Sequence, residues 1–148
     1  MPTFKGTDFE IELPRECSDE STYAFAFPAR SNFRPSIVVK TERLAEPIDL
    51  PAYVEKQLEN IKKLLLDVVV VRVGPEKHRE LSAYASVYDW GEASRRVRQK
   101  QRYIPLNDPA RVVTLTATCL REMYSQTQEL FDAVIESFSP IEGHEKRF

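Results

Sequence analysis

The residue types that most often catalyse reactions or bind metals are few and widely spaced in this chain. Its two cysteines are Cys17 and Cys119, and its two histidines are His78 and His144. No CxxC or HExxH pattern links them, so their spacing supports neither a metal site nor a thiol catalyst. We interpret them as reduced thiols and surface imidazoles. Nucleophile-elbow, Walker and GxGxxG motifs are also missing. We therefore expect no catalytic residue, no metal and no cofactor.

A more informative pattern lies between Leu81 and Ile104, which is typical of a long hairpin with its bend at Gly91 to Ser94. A two-residue or a four-residue bend puts the same two rows on one face, whereas a slip of one residue would exchange them. Such a face suits binding better than reaction. It combines rings, hydroxyls and amides: Ser82, Tyr84, Ser86, Tyr88 and Trp90 from the first half, and Val97, Gln99, Gln101 and Tyr103 from the second.

The opposite parity of the second half forms a row of cations, namely Arg96, Arg98, Lys100 and Arg102. One interpretation is an anion or RNA stripe with Tyr88 and Trp90 as stacking platforms. The other is a solvated strand whose cations offset nearby carboxylates and discourage edge pairing. The whole chain has a net charge of -2. This charge favours the second interpretation, so we expect no nucleic-acid partner.

The elements that position these residues follow from hydrophobic periodicity. Alternation predicts strands first, then a helix beginning at Asp49 with Pro51 in its first turn, then further strands and a last helix. Strands in runs joined by short turns favour an antiparallel sheet, so the fold class is α+β, with about six to seven strands flanked by two main helices. We expect one domain over residues 1–140 and a charged tail over 141–148. The predicted strands are Asp8–Pro14, Tyr23–Phe27, Ser36–Leu44, Val68–Val73 before a Gly74-Pro75-Glu76 turn, the hairpin, and Arg111–Cys119 after a turn at Pro105–Pro109; the last helix is Tyr124–Phe138.

Composition and hydropathy limit where the chain could act. Polar and charged residues interrupt the N-terminal stretch before any apolar signal region forms. No stretch has 18 uncharged apolar residues, so we expect no direct membrane insertion. We therefore expect a cytoplasmic protein.

Several short patterns occur together in a family-like order over about Phe9 to Phe138. The patterns are Tyr53-Val54-x-x-Gln57-Leu58-Glu59-Asn60, Tyr88-x-Trp90, Lys100-Gln101-x-Tyr103-Ile104, Thr114-Leu115-Thr116-Ala117-Thr118, and Phe131 to Ser137-Phe138. With these patterns the chain resembles the DcrB-related family, whose fold is similar to that of PsbP, and is most similar to the Eag chaperones of bacterial type VI secretion.

This resemblance implies a cytosolic homodimer without known catalytic residues. It implies a partner, an effector protein whose apolar N-terminal segment the chaperone holds until the effector is loaded on the secretion spike. Cys17 follows Pro14-Arg15-Glu16, which cannot serve as a lipobox. DcrB itself resembles a lipoprotein with a signal sequence and a lipid-modified cysteine. The absence of a lipobox at Cys17 therefore favours the cytosolic branch of the family.

We therefore expect an open sheet face that binds transmembrane segments of such an effector. Two alternatives stay open at this stage. The chain could be a small-molecule or anion-binding domain on the same fold, or an unrecognised enzyme, and either would have a closed pocket enclosing His78, Cys119 or a carboxylate pair. The four early apolar positions could also be ordinary core under a helix. The expected client-binding residues are Phe25, Phe27, Ile37, Val39, Tyr88, Gln99 and Gln101.

Overall fold

A computed structural model describes residues 1–17, 22–30, 32–106 and 110–140 of the chain. These ranges contain eight strands and two α-helices. In chain order they are β1 (Thr3–Lys5), β2 (Glu10–Glu12), β3 (Thr22–Ala26), β4 (Ser36–Arg43), α1 (Leu50–Leu64), β5 (Val69–His78), β6 (Leu81–Trp90), β7 (Val97–Pro105), β8 (Arg111–Leu120), a 3-10 turn (Arg121–Met123) and α2 (Tyr124–Glu136).

Six of these strands form one sheet in the order β3-β4-β8-β7-β6-β5, and each neighbouring pair is antiparallel. The remaining two, β1 and β2, make a separate two-stranded sheet. The α+β class and the antiparallel sheet with two main helices are thus confirmed. β3 and β5 are the outer strands of the large sheet.

Each helix covers a different face of the large sheet, and we name the faces after them. On the α1 face, Val54 and Leu58 of the helix pack with Tyr88, Tyr103 and Val112. On the α2 face, Phe131 and Ile135 of the helix meet a wider apolar cluster. The sheet residues of that cluster are Ile37, Ala83, Ile104, Val113, Leu115, Ala117 and Cys119.

The start of α1 follows the sequence prediction. The Asp49 carboxylate accepts a hydrogen bond of 3.4 Å from the Ala52 amide, and Pro51 lies in the first turn. A proline there removes an N–H that has no partner within the helix. The apolar stripe of α1 then packs over the β6 and β7 strands.

The predicted turn at Gly74-Pro75-Glu76 is wrong, because β5 runs straight through it to His78. Pro75 lies opposite Tyr84 on an outer strand, which has a neighbouring strand on one side only. A proline is tolerated there because the other side of the strand needs no N–H for pairing. The chain turns instead at Arg79, which has a φ of 55°.

Two further expectations need correction or lie outside the described ranges. The strand predicted over Asp8–Pro14 is three residues long, and all three are exposed rather than half-buried. It pairs with β1, which the sequence analysis did not predict. Most of the expected turn at Pro105–Pro109, the whole 141–148 tail and His144 lie outside the described residues.

Candidate binding face

The β6–β7 hairpin has the face predicted from its sequence. Its two rows lie directly opposite one another on the α1 face. The pairs are Tyr84 with Tyr103, Ser86 with Gln101, Tyr88 with Gln99, and Trp90 with Val97. The connecting loop is six residues long, longer than either predicted bend. The parity of the rows is nevertheless the same, so rings, hydroxyls and amides do share one face.

The α1 helix covers only one end of this surface. Tyr88 and Tyr103 are 2% and 1% exposed, and the Tyr53 ring meets Tyr103 edge-on with 6.1 Å between centroids. Burial raises the pKa of Tyr103 to about 12, and burial likewise raises the pKa of Tyr88. Both phenols are therefore neutral core groups. Tyr88 was expected on the open surface, and that placement is wrong because α1 packs on it.

Beyond α1, two rows of hydrogen bonds run across the sheet. In the first, the Trp90 indole donates to the Gln99 carbonyl at 3.0 Å, and the Gln99 amide donates to the Thr118 hydroxyl at 2.9 Å. In the second, Ser86 and Tyr103 donate to the Gln101 carbonyl. The Gln101 amide then donates to the Thr116 hydroxyl at 3.1 Å. These bonds explain how two glutamines can lie half-buried on a sheet without losing stability.

The rows continue onto small residues of β4 and β3. Ser36 lies opposite Thr118 and Val38 opposite Thr116, and these are followed by Ala26 and Ala24 at the edge. We call the resulting surface the open face. It consists of Ala24, Ala26, Ser36, Val38, Gln99, Gln101, Thr116 and Thr118, of which the alanines are exposed and the others half-buried.

The open face has the size and the chemistry of a seat for one helix. Strands lie about 4.8 Å apart, so β8, β4 and β3 form a floor roughly 14 Å wide, and a helix with its side chains is about 10–12 Å across. None of the eight residues is charged. A hydroxyl that accepts a bond from an amide can still donate its own hydrogen. The face can thus meet both apolar and polar groups.

The structure separates the seven expected client-binding residues. Gln99 and Gln101 are on the open face, but Phe27, Ile37 and Val39 belong to the cluster beneath α2. Ile37 is 1% exposed, and Phe27 contacts the Phe131 ring with 5.9 Å between centroids. Phe25 lies on the same face as Ile37 but at the edge, where it is 57% exposed. The single surface expected from the sequence is therefore wrong, because β3 turns its aromatic side chains, and β4 turns Ile37 and Val39, towards α2.

Six residues of the open face were missed, although part of their signal was visible. The alternate threonines of β8 predict a polar row, since Thr114, Thr116 and Thr118 share one parity. The alanines of β3 gave no such signal, because Ala24 and Ala26 are small between large aromatic residues. Apolar area alone does not mark this surface, because small side chains form its outer part.

Three members of the cation row, Arg98, Lys100 and Arg102, lie on the α2 face and pair with carboxylates, whereas Arg96 donates to the Gly91 backbone carbonyl at 2.6 Å. Arg98 makes two hydrogen bonds to Asp89, at 2.7 and 2.9 Å. Lys100 and Arg102 are buried, so the expectation of a solvated row is wrong for them. Lys100 pairs with Asp132 at 3.1 Å and Glu76 at 3.7 Å. Arg102 pairs with Glu76 at 2.7 Å and also bonds Glu136.

The described imidazole and one of the two thiols are buried. Cys17 is exposed and Cys119 is buried. Burial raises the pKa of the Cys119 thiol, although Thr127 donates to its sulfur at 3.4 Å. His78 is 1% exposed, so the expectation of a surface imidazole is wrong. Within the described ranges, no three His, Cys, Asp or Glu side chains come together as metal ligands would.

The relationship to known proteins is decided by a family model. The model of the DcrB family matches residues 9–137. The chain belongs to the DcrB family. No curated protein shows a significant sequence match to it. Over the residues described, this DcrB-family chain has no helix of the length and hydropathy needed to span a membrane.

Three solved structures share the fold of the DcrB-family chain. PA94 of Pseudomonas aeruginosa, a protein of unknown function and putative regulator, has a TM-score of 0.75, 20% identity, and coverage of 95% of this chain and 97% of its own. LpqN of Mycobacterium tuberculosis, involved in cell envelope biogenesis, has a TM-score of 0.54 and 19% identity, with coverage of 82% of this chain and 85% of its own. CyanoP, the PsbP of Synechocystis, has a TM-score of 0.52 and 9% identity, with coverage of 88% of this chain and 98% of its own. The expected PsbP-like fold is confirmed, and the likeness to Eag chaperones stays a prediction.

Proposed function

We propose that this DcrB-family chain is a non-enzymatic cytosolic chaperone or adaptor for an apolar segment of a type VI secretion effector. The observation that carries the proposal is the open face, an uncharged strip of half-buried amides, hydroxyls and small side chains that neither α1 nor α2 covers. The resemblance to Eag chaperones supplies the identity of the client.

The strip matches the needs of a membrane-spanning helix held in water. Such a helix exposes a long apolar surface, which favours aggregation unless another surface covers it. Alanine and serine let a helix approach the sheet closely, as small residues do between helices in a bilayer. Gln99, Gln101 and the threonines offer hydrogen bonds to the polar groups of the client.

The alternative of a small-molecule or anion site has less support. It needs polar or charged groups that converge in a pocket. Two of the groups considered for such a pocket, His78 and Cys119, are each buried against elements of their own chain. His78 contacts Phe138, and Cys119 accepts a hydrogen bond from Thr127.

Co-expression with the N-terminal region of an effector encoded beside this gene tests the proposal. We expect a soluble complex with the wild-type chain and loss of the complex with Val38→Asp, because a carboxylate on the open face would have to be desolvated against the client. Gln101→Ala should weaken capture as well, but it should also lower the melting temperature, because the buried Ser86 and Tyr103 hydroxyls lose their acceptor.

The matched control is Leu130→Asp. Leu130 is an apolar side chain on α2, the helix on the other face of the sheet, and it is 47% exposed. This variant should capture the effector as the wild type does. The proposal fails if the effector is equally soluble without this chain, or if Leu130→Asp and Val38→Asp reduce capture equally.

A further inference from the structure

The two outer strands of the large sheet differ in how well they are protected against further pairing. β5 has a register shift between Val70 and Arg72, a proline at position 75, and two cations. Bulges, prolines and charges of this kind are the usual means by which edge strands avoid other chains. β3 has none of them: its five residues are uncharged and its register with β4 is unbroken.

β3 is also uncovered. All five of its residues are exposed, and its two aromatic side chains, Tyr23 and Phe25, are 43% and 57% exposed. Within the described ranges β4 is its one strand partner. A regular, uncharged edge with exposed aromatic residues is a template for another strand.

The sequence of β3 fits a second copy of itself. Thr22-Tyr23-Ala24-Phe25-Ala26 alternates small and aromatic residues symmetrically about Ala24. If two copies run antiparallel about that residue, Tyr23 lies opposite Phe25 of the second copy, and Phe25 opposite its Tyr23. Cross-strand aromatic pairs are favourable, and identical strands without charges meet no like-charge repulsion.

We propose that β3 pairs with β3 of a second copy, antiparallel about a twofold axis at Ala24. An axis perpendicular to the sheet keeps each side chain on its own face, so the two open faces become continuous.

The joined surface, which rests on the proposed function, is a trough with about six strands as its floor and an α1 helix along each side. At roughly 4.8 Å per strand it has the width of two helices, so the client is a helix pair.

A charge exchange tests the strand and its register together. Tyr23→Lys with Phe25→Lys places lysines opposite lysines and should turn the dimer into a monomer, as measured by sedimentation and light scattering. Tyr23→Lys with Phe25→Glu places each lysine opposite a glutamate and should restore the dimer. Val69→Lys with Val73→Lys, at exposed positions of β5, is the control and should leave the dimer intact.

Cross-linking gives an independent measure of the register. Directly opposite residues of antiparallel strands have Cα atoms roughly 4.5–5.5 Å apart, within disulfide range. In a Cys17→Ser background, Ala24→Cys should form a dimer under mild oxidation, whereas Val73→Cys should not. Melting curves of each variant show whether it is folded.

The outcomes separate this inference from the proposed function. A wild-type chain that is monomeric at every concentration overturns the pairing, as does a folded double-lysine variant of β3 that stays dimeric. Loss of the dimer in the β5 variant would show that the interface lies on β5 and would overturn the pairing through β3. A β3 dimer that captures no effector would contradict the proposed function but leave the pairing standing. A monomeric chain that captures the effector would contradict the pairing but leave the proposed function standing.

Discussion

Ile37 and Val38 are neighbours in β4, yet they should respond to charge in different ways. Ile37 is 1% exposed beneath α2, whereas Val38 is half-buried on the open face. Ile37→Asp buries a carboxylate without a partner, which we expect to destabilise the fold by roughly 4 kcal/mol. Val38→Asp should cost less than about 1 kcal/mol, because its carboxylate can stay hydrated. Urea unfolding measures both, and equal losses would contradict the assignment of the two faces.

Glu76 predicts a pH dependence for the contact between the sheet and α2. Burial acts to raise the pKa of its carboxyl, but the hydrogen bond from Arg102 and the charges of Lys100, Arg102 and Arg72 outweigh burial and lower the pKa below its ordinary value of 4.5. A carboxyl whose pKa is lower in the folded chain stabilises the fold above the unfolded pKa. That stabilisation is lost as pH falls through the folded value.

Glu76→Gln should therefore destabilise the fold by roughly 3 kcal/mol at pH 7, since it leaves two buried cations with fewer partners. Its difference from the wild type should shrink as pH falls from about 4.5 towards the lower folded pKa. Chemical unfolding across pH measures that difference. Glu59→Gln, on the exposed side of α1, is the control and should change stability by less than about 0.5 kcal/mol at neutral pH. A Glu76→Gln effect that is constant with pH would contradict this assignment.

At this scale the sequence predicts parity better than it predicts which face is open. Tyr88, Gln99 and Gln101 share a face as expected, because alternation in a regular hairpin leaves little choice. β4 has apolar residues on both faces, Ile37 on one and Val38 on the other. Only the positions of the helices decide which of them is buried, and periodicity within one strand carries no information about that.

The elements show the same limit at β5. The β-branched run Val68–Val73 correctly predicts a strand, but the turn that Gly74-Pro75-Glu76 predicts after it is wrong. A proline ends a central strand because the ladder needs its N–H, whereas on an outer strand the chain can continue. Strand order determines which case applies, and strand order is a property of the whole sheet. The antiparallel sheet and both helices were nevertheless predictable, because their periods are long and regular.

α2 is held at its C-terminal end by the turn between β5 and β6. Arg79 donates to the carbonyls of Glu136 at 3.2 Å and Ser137 at 3.4 Å, and His78 lies 2.8 Å from the Phe138 carbonyl. Carbonyls at a helix end need such partners. Arg79→Ala should lower the free energy of unfolding by about 1 kcal/mol. Because alanine also carries a Cβ, the strain at this positive φ stays the same, and the loss reports the missing hydrogen bonds.

Hydrogen exchange measures the effect of Arg79→Ala most directly. Amides in the last turn of α2 should exchange faster than in the wild type, while those of α1 should not change. Uniform acceleration in both helices would mean that Arg79 acts on global stability rather than on this helix end.

For the molecule as a whole, the N-terminal hairpin should contribute little to stability. β1 and β2 pair only with each other among the described strands, and Phe9 and Ile11 are 58% and 48% exposed. No residue before Pro14 belongs to the three buried clusters. A chain that begins at Pro14 should therefore unfold within about 1 kcal/mol of the full chain. Calorimetry of both forms measures this, and a larger loss would show that the hairpin supports the sheet.

Trp90 is the single tryptophan of the chain, and it lies beside the open face. Its indole is half-buried and donates to Gln99, a residue of that face. Whatever covers Gln99 should therefore change the polarity and hydrogen bonding around the only strongly fluorescent group in the protein. Intrinsic emission then reports occupancy of the face without a label, while ligands bound under α2 should leave it unchanged. The molecule thus contains its own optical probe for the event that its proposed function requires.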